Sequence, residues 1–137
     1  MDNSAWQTFS DPNFVFQFQY PERTPTGHLV EIDDIRFHFR SKDSPELYFE
    51  VSRHLHLSAK DLYEREKGFV EKQLARAVVK DLLPITIAGQ PAFEFTFTWT
   101  GGARTVLLIE KQQALYRLIY DPQAPLNLEV LSTLQIL

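Results

Sequence analysis

Apolar and polar residues alternate along several stretches of the chain, and a period of two residues is typical of β-strands with one buried face. In the first stretch, Gln17 and Gln19 separate aromatic residues, and Pro21 ends the pattern because proline has no N–H to donate to a sheet. The apolar positions of this stretch are Phe14, Phe16, Phe18 and Tyr20. We therefore predict a strand that buries a row of aromatic rings.

Two further alternating stretches follow, separated by the turn-forming residues 41–45. Their apolar positions are Ile35, Phe37 and Phe39, then Leu47, Phe49 and Val51. If the apolar faces of both strands coincide, Phe37 must pair near Phe49 or Val51, because a slip of one residue would expose every ring. The pattern predicts a β-hairpin, preceded by a short strand from His28 to Ile32.

The second half of the chain contains the most apolar strands. Residues 85–89 are predicted to form a short strand that ends in a turn. The next strand has one apolar face, formed by Phe93, Phe95, Phe97 and Trp99. A two-residue turn at Gly101-Gly102 would place Phe97 opposite Val106 and Phe95 opposite Leu108. The stretches 103–110 and 115–120 are apolar on both faces, so we expect both faces of these strands to be covered.

Two segments show the spacing of amphipathic helices. Ser58 is suited to cap the first of them, with Asp61 in the first turn, and Gly68 falls on its polar side. Its apolar stripe comprises Leu62, Tyr63, Phe69, Val70, Leu74 and Ala77. The second begins at Pro125, and its stripe comprises Leu126, Val130, Leu134 and Leu137. We expect an α+β fold, an α/β/α sandwich in which an antiparallel sheet of about six to seven strands carries helices on both faces.

Composition adds limits on function. The 137 residues predict a single domain, residues 1–137, and the net charge of −4 argues against a general nucleic-acid binder. The absence of cysteine excludes a disulfide scaffold and a thiol nucleophile. The acidic and polar residues 1–4 do not resemble an export signal, and no apolar run is long enough for membrane insertion. We expect a cytoplasmic location.

Histidines are the first candidates for chemistry. If the third alternating strand continues, His54 and His56 project from the same face, where two imidazoles could share a divalent metal ion. Asp34 lies beside His54 in one of the two plausible registers. A metal site needs three or four ligands, however, so surface histidines at a strand end are the simpler interpretation.

Glu66 is the second candidate, because it falls within the apolar stripe of the first helix, between Leu62 and Phe69. A carboxylate buried there would need a partner such as an arginine, or its pKa would rise, as in a general acid or base. The alternative is that Glu66 lies at the margin of the contact and reaches water. No catalytic set is apparent, because no serine lies in a Gly-x-Ser-x-Gly motif and no glycine-rich phosphate loop is present.

The order of these motifs resembles that of PsbP-like domains. The similar segments are the aromatic strand 14–20 that closes on Pro21, the turn and strand 87–95, the strand 115–118, and the closing helix 125–134. The resemblance implies an α/β/α sandwich, shared with a Ran-binding nuclear import factor and with chaperones of secreted effectors. It also implies action by binding other proteins, with no catalytic constellation common to the family.

We therefore predict a non-enzymatic protein-interaction or assembly-chaperone module that needs no cofactor and takes a protein partner rather than nucleic acid. The candidate binding faces are the polar sides of two strands, namely Tyr48, Glu50, Ser52 and His54, or Arg36 and His38. The alternative function is binding of a small ligand or divalent metal, at His54 and His56 with Asp34, or in a cleft beside Glu66.

Overall fold

The computed structural model describes residues 6–10, 16–21, 26–31, 34–40, 48–111 and 113–136. The predicted strand positions 14 and 15, the turn at 41–45 and Leu47 lie outside these residues. In chain order the elements are β1 (Trp6–Ser10), β2 (Phe16–Pro21), β3 (Thr26–Glu31), β4 (Asp34–Arg40), β5 (Tyr48–Leu55), α1 (Ala59–Gln73), β6 (Val78–Val79), β7 (Leu83–Ile87), β8 (Gln90–Trp99), β9 (Gly102–Lys111), β10 (Ala114–Tyr120), α2 (Pro125–Ser132) and β11 (Gln135–Ile136).

The strands form two antiparallel sheets rather than the single sheet expected. The larger has eight strands in the order β3-β4-β5-β10-β9-β8-β6, with β7 also paired to β8, and the smaller has three in the order β1-β2-β11. The predicted aromatic strand belongs to the smaller sheet. Phe18 stacks on Phe9 of β1, with their ring centroids 5.0 Å apart, and both rings pack in the core with residues of the larger sheet. The β2 rings thus cover the main sheet instead of extending it.

The first hairpin has the register that the alternation requires. Phe37 pairs with Val51, and the predicted strand near His28 is β3, which pairs with β4. The prediction for this part of the sheet is confirmed, since the sheet keeps the parity that aligns the two apolar rows.

The second hairpin differs from its predicted register by two residues. Phe95, not Phe97, pairs with Val106, and the turn is formed by Thr100 and Gly101, because Trp99 pairs with Gly102. Both the N–H and the hydroxyl of Thr100 donate to the carbonyl oxygen of Ala75, at 3.0 and 2.7 Å. These bonds anchor Thr100 in the turn. Because the difference is an even number of residues, the face of every side chain is unchanged.

Position 101 has little space for a side chain, because the ring of Trp99 lies against it. A Cβ atom there would lie 2.5 Å from Nε1 of Trp99, whereas a Cβ on Gly68 of α1 would meet no atom within 4 Å. Gly101→Ala is expected to lower the free energy of unfolding by about 1–3 kcal/mol through overpacking. Gly68→Ala, its matched control, is expected to raise it by about 1 kcal/mol through helix propensity. Urea unfolding of both variants measures the difference, and equal signs would contradict this account.

Buried side chains form two core clusters, divided by the alternation of the central strands. Val106 and Leu108 of β9 pack with Leu62 and Val70 of α1. Leu107 and Ile109 belong to the second cluster, together with β1, β2 and Val130 of α2. The expectation that β9 and β10 are covered on both faces is confirmed.

Helix α1 begins where the sequence predicts. The Ser58 hydroxyl accepts a hydrogen bond of 3.1 Å from the Asp61 N–H. The Glu110 carboxylate accepts another, of 2.9 Å, from the N–H of Ala59. Together they satisfy two of the N–H groups that the first turn leaves without a helical partner.

Removing the Ser58 hydroxyl should therefore be measurable. Ser58→Ala is expected to reduce the free energy of unfolding by about 1 kcal/mol, whereas Ser58→Gly should cost only about 0.3 kcal/mol, because glycine is itself a good N-cap residue. Thermal or urea unfolding of the two variants tests the cap. An equal loss in both would show that the hydroxyl is not what matters.

The predicted stripes of both helices need correction at their margins. Phe69 is 62% exposed, although it lies on the apolar stripe of α1. Helix α2 ends at Ser132, and Leu134 lies beyond it. There Thr133 Oγ1 accepts a hydrogen bond of 2.7 Å from the Gln19 N–H, and β11 pairs with β2. Pairing with the small sheet thus replaces the last helical turn.

Among the described residues, no helix has the length and apolar character to cross a bilayer.

Candidate functional site

A cleft of about 510 Å³ lies between α1 and the main sheet. Its lining residues divide into a polar group and an apolar group. The polar residues are Glu50, Ser52, His54, Arg65, Glu66 and Arg117, and the apolar ones are Leu62, Phe69, Val70, Leu74, Phe97 and Ile119. Helix α1 contributes to both groups, so the cleft is a product of how this helix packs on the sheet.

Strand alternation brings the polar residues of the sheet together. Glu50, Ser52 and His54 are alternate residues of β5 and therefore share one face. The register of β5 with β10 pairs Ser52 with Arg117 and Glu50 with Ile119. Arg117 is thereby placed among the polar residues of β5, although its own strand is otherwise apolar.

Arg117 lies between two carboxylates. Its Nε atom contacts the Glu66 carboxylate, and its Nη1 atom is 3.6 Å from Oε1 of Glu50. The side chains of Arg117 and Glu66 are 14% and 19% exposed, so this ion pair is largely removed from water. Arg117 is the arginine partner that the position of Glu66 requires. The Glu66 carboxylate is engaged in holding α1 to the sheet.

Ser52 and His54 form a second polar pair at the cleft. The hydroxyl Oγ of Ser52 and Nε2 of His54 are 2.8 Å apart, and both residues are buried. Asp34 pairs with His54 in the backbone register, which is one of the two registers considered from the sequence. Because Ser52 is only 1% exposed, its hydroxyl is placed to support the neighbouring imidazole rather than to meet a substrate.

His56 does not join this group. Strand β5 ends at Leu55, and His56 has a left-handed backbone with φ 61°, so the assumption that the strand continues is wrong. His56 is exposed and lines a separate depression beside Glu110 and Lys111. No group of three or more His, Asp or Glu residues in the described part of the chain is arranged to hold a metal ion.

The apolar end of the cleft carries an exposed aromatic ring. Phe69 projects from α1 where Val70 and Leu74 line the cleft, and Phe97 lies on the sheet side. Single exposed apolar residues are common, but Phe69 is 62% exposed directly beside a cleft, which is where a bound partner would cover it. The cleft therefore combines an exposed aromatic ring, Phe69, with the charged side chains of Glu66 and Arg117.

Ser52 and Arg117 are neighbours in the site, and the sequence pattern did not predict their pairing. One signal was present: Arg117 is the sole charged residue in the run from Leu115 to Tyr120, which is apolar otherwise. A lone charge in a strand covered on both faces requires a partner. Arg117 is therefore recognisable from the sequence as a candidate, but its partner depends on how α1 crosses the sheet.

Comparison with solved structures identifies the fold. The solution structure of the cyanobacterial PsbP protein CyanoP from Synechocystis sp. PCC 6803 matches this chain with a TM-score of 0.71. The chain has a PsbP-like fold. The match covers 98% of this chain and 94% of CyanoP, at 13% sequence identity, so it confirms the resemblance seen in the sequence at the level of the fold alone. No protein-family model and no curated protein sequence matches the chain.

Proposed function

We propose that this PsbP-like chain is a non-enzymatic module that binds another protein through the cleft beneath α1. The observation that carries the proposal is the 62% exposure of Phe69 beside a cleft that also contains the Glu66–Arg117 ion pair. Aromatic and arginine side chains in or beside pockets are the groups that most often dominate the binding energy of protein interfaces. The exposed ring would anchor the partner.

The state of the reactive side chains supports a binding role over catalysis. The Glu66 carboxylate contacts Arg117, and the buried Ser52 hydroxyl is within hydrogen-bond distance of His54. A Ser–His contact alone would suit an activated nucleophile, but a nucleophile must also reach the reacting atom, and Ser52 and His54 are only 1% and 6% exposed. The Glu66 carboxylate is occupied by its contact with Arg117. The PsbP-like fold favours the same interpretation.

We also infer that the two helices cover opposite faces of the main sheet, as in an α/β/α sandwich. Leu62 of α1 packs in the cluster of Leu108, whereas Val130 of α2 packs in the cluster of Leu107. Consecutive residues of a strand point to opposite faces, which supports this layering. The face that carries α1 is then the face that carries the cleft.

Site-specific crosslinking tests the binding role. A photoreactive phenylalanine analogue in place of Phe69 should crosslink a partner in native lysate, whereas the same analogue at Val78, an exposed residue of β6 that lines neither the cleft nor the groove between β7 and α2, should not. The purified partner should then bind the unmodified chain and Val78→Ser, with about tenfold weaker binding to Phe69→Ser. The proposal fails if no protein is captured from position 69, or if the purified partner binds Phe69→Ser as tightly as Val78→Ser.

A small ligand in the same cleft is the second candidate function. The cleft volume of about 510 Å³ lies within the range of small-molecule sites, and Glu66 is among its lining residues. Native mass spectrometry of protein isolated from its source distinguishes the two. A small molecule retained by the wild type and lost by Phe69→Ser would favour this function over protein binding.

A further inference from the structure

A separate groove lies between β7 and α2, with a volume of about 390 Å³. Its walls are mostly aliphatic, and the residues that supply them are Ile85, Ile87, Ala88, Leu107, Leu131 and Leu134. Glu94 is its acidic residue, and none of the described residues that line it is a lysine, arginine or histidine. The groove shares no lining residue with the cleft beneath α1.

Glu94 is partly buried, and no described basic side chain forms an ion pair with it. Tyr120 lies beside it in the groove. Burial raises the pKa of the Tyr120 phenol, and the negative charge of Glu94 raises it further. Tyr120 is therefore neutral at physiological pH, and none of the described side chains that line the groove supplies a positive charge beside Glu94.

Exposed leucines extend the apolar surface on both sides of the groove. Leu83 precedes Ile85 by two residues on β7 and is 55% exposed, and Leu128 precedes Leu131 by one helical turn on α2 and is 47% exposed. Pro84 has no N–H, so β7 is a poor template for adding a strand, and an occupant would bind through its side chains.

We propose that this groove binds a lysine or arginine side chain presented by an apolar segment of a partner protein. The aliphatic stem would lie along Ile85, Ile87 and Leu131, and its cationic end would reach the Glu94 carboxylate. Attraction between opposite charges is stronger in such a partly buried setting than on an open surface. The apolar neighbours of the cation would contact Leu83 and Leu128.

Peptide titration tests the proposal on the complete chain. The probe is the peptide acetyl-Ser-Leu-Lys-Leu-Ser-amide, and its control carries norleucine in place of lysine, which keeps the stem and removes the charge. We expect the lysine peptide to bind about tenfold more tightly than the norleucine peptide, as charge-assisted hydrogen bonds do. Chemical shifts of the Leu131 and Leu134 methyl groups should change during the titration.

Glu94→Gln has nearly the same shape as the native side chain and should remove the preference for lysine over norleucine. Glu71→Gln makes the same charge change at an exposed position of α1 and should retain it. Ser132→Lys, at an exposed position on the rim, would place a tethered ammonium group near Glu94 and should weaken the lysine peptide in a chain whose Glu94 is intact.

Four results would overturn the proposal. These are no binding of the lysine peptide, equal binding of both peptides, an equal effect of Glu94→Gln and Glu71→Gln, or methyl shifts confined to the cleft beneath α1. Titration with free n-octylammonium is the last control. If this amine binds the groove as tightly as the lysine peptide, the ligand is a small amine and not a protein side chain. Because the groove and the cleft share no lining residue, failure here leaves the proposed function standing.

Discussion

Arg117→Met is expected to lower the free energy of unfolding by about 3 kcal/mol. The substitution leaves the Glu66 carboxylate largely buried without its cation, and breaking a buried ion pair by removing one partner costs about 3–5 kcal/mol. We expect the lower end of this range because the side chains of Arg117 and Glu66 are still 14% and 19% exposed to water. Urea unfolding gives the value directly.

Two further variants identify the cause. Arg65→Met removes an exposed arginine from the same cleft and should change stability by no more than about 0.5 kcal/mol. The double variant Arg117→Met/Glu66→Met replaces the ion pair by apolar side chains and should recover most of the lost stability, although Glu50, which is 26% exposed, still loses its contact with Arg117. Additive losses in the double variant would show that the Glu66–Arg117 pair is not the source of the effect.

Phe95→Ala is expected to destabilise the chain by about 3–5 kcal/mol, because it removes a fully buried ring and leaves a cavity. The ring of Tyr63 on α1 contacts Phe95 edge to face, with centroids 5.0 Å apart, so the attachment of α1 to the sheet should also weaken. Unfolding followed by both far-ultraviolet circular dichroism and tryptophan fluorescence measures the loss.

Phe69→Ala is the matched control, since it deletes the same ring from an exposed position of α1. It should change stability by no more than about 0.5 kcal/mol, while weakening binding to the crosslinked partner. The combination of a small stability effect and a large binding effect distinguishes a binding residue from a core residue. Comparable losses of stability in both variants would mean that Phe69 is part of the core.

Strand positions and faces followed from the sequence because the alternation of rings and polar groups sets both. The pairing of Phe37 with Val51 is an example, since any odd register shift would expose the rings. A register shift by an even number of residues leaves every side chain on the same face of the sheet, so it exposes no ring. For that reason the β8–β9 register depended on Thr100 and its bonds to Ala75, which are remote in sequence and were not predicted.

The assembly of the strands into two sheets was harder to predict from the sequence. A row of aromatic residues in β2 is equally suited to extend a sheet or to cover one, and its pairing with β1 and β11 decides between them. The two-residue strands β6 and β11 are too short to give a periodic pattern. Helix periodicity likewise shows which side of α1 faces the sheet, but not that Phe69 lies beyond the covered area.

The candidate site was predictable in part. For Glu66 the sequence left two alternatives, a buried carboxylate that needs a partner such as an arginine, or a carboxylate at the margin of the contact that reaches water. The structure has a largely buried Glu66 in contact with Arg117, and the sequence did not identify this arginine. The predicted neighbourhood of His54 and His56 failed because one left-handed residue ends β5. A metal site at these residues stays a prediction without support from the described side chains.

Hydrogen–deuterium exchange on the complex with the crosslinked partner tests the central claim most directly. We expect amides in residues 65–74, the C-terminal part of α1 with its cap residue, to exchange more slowly in the complex than in the free chain. The same amides should show no slowing when the partner is mixed with Phe69→Ser at the same concentration. Unchanged exchange across α1 in a complex that protects another surface would contradict the claim that the cleft beneath this helix binds the partner.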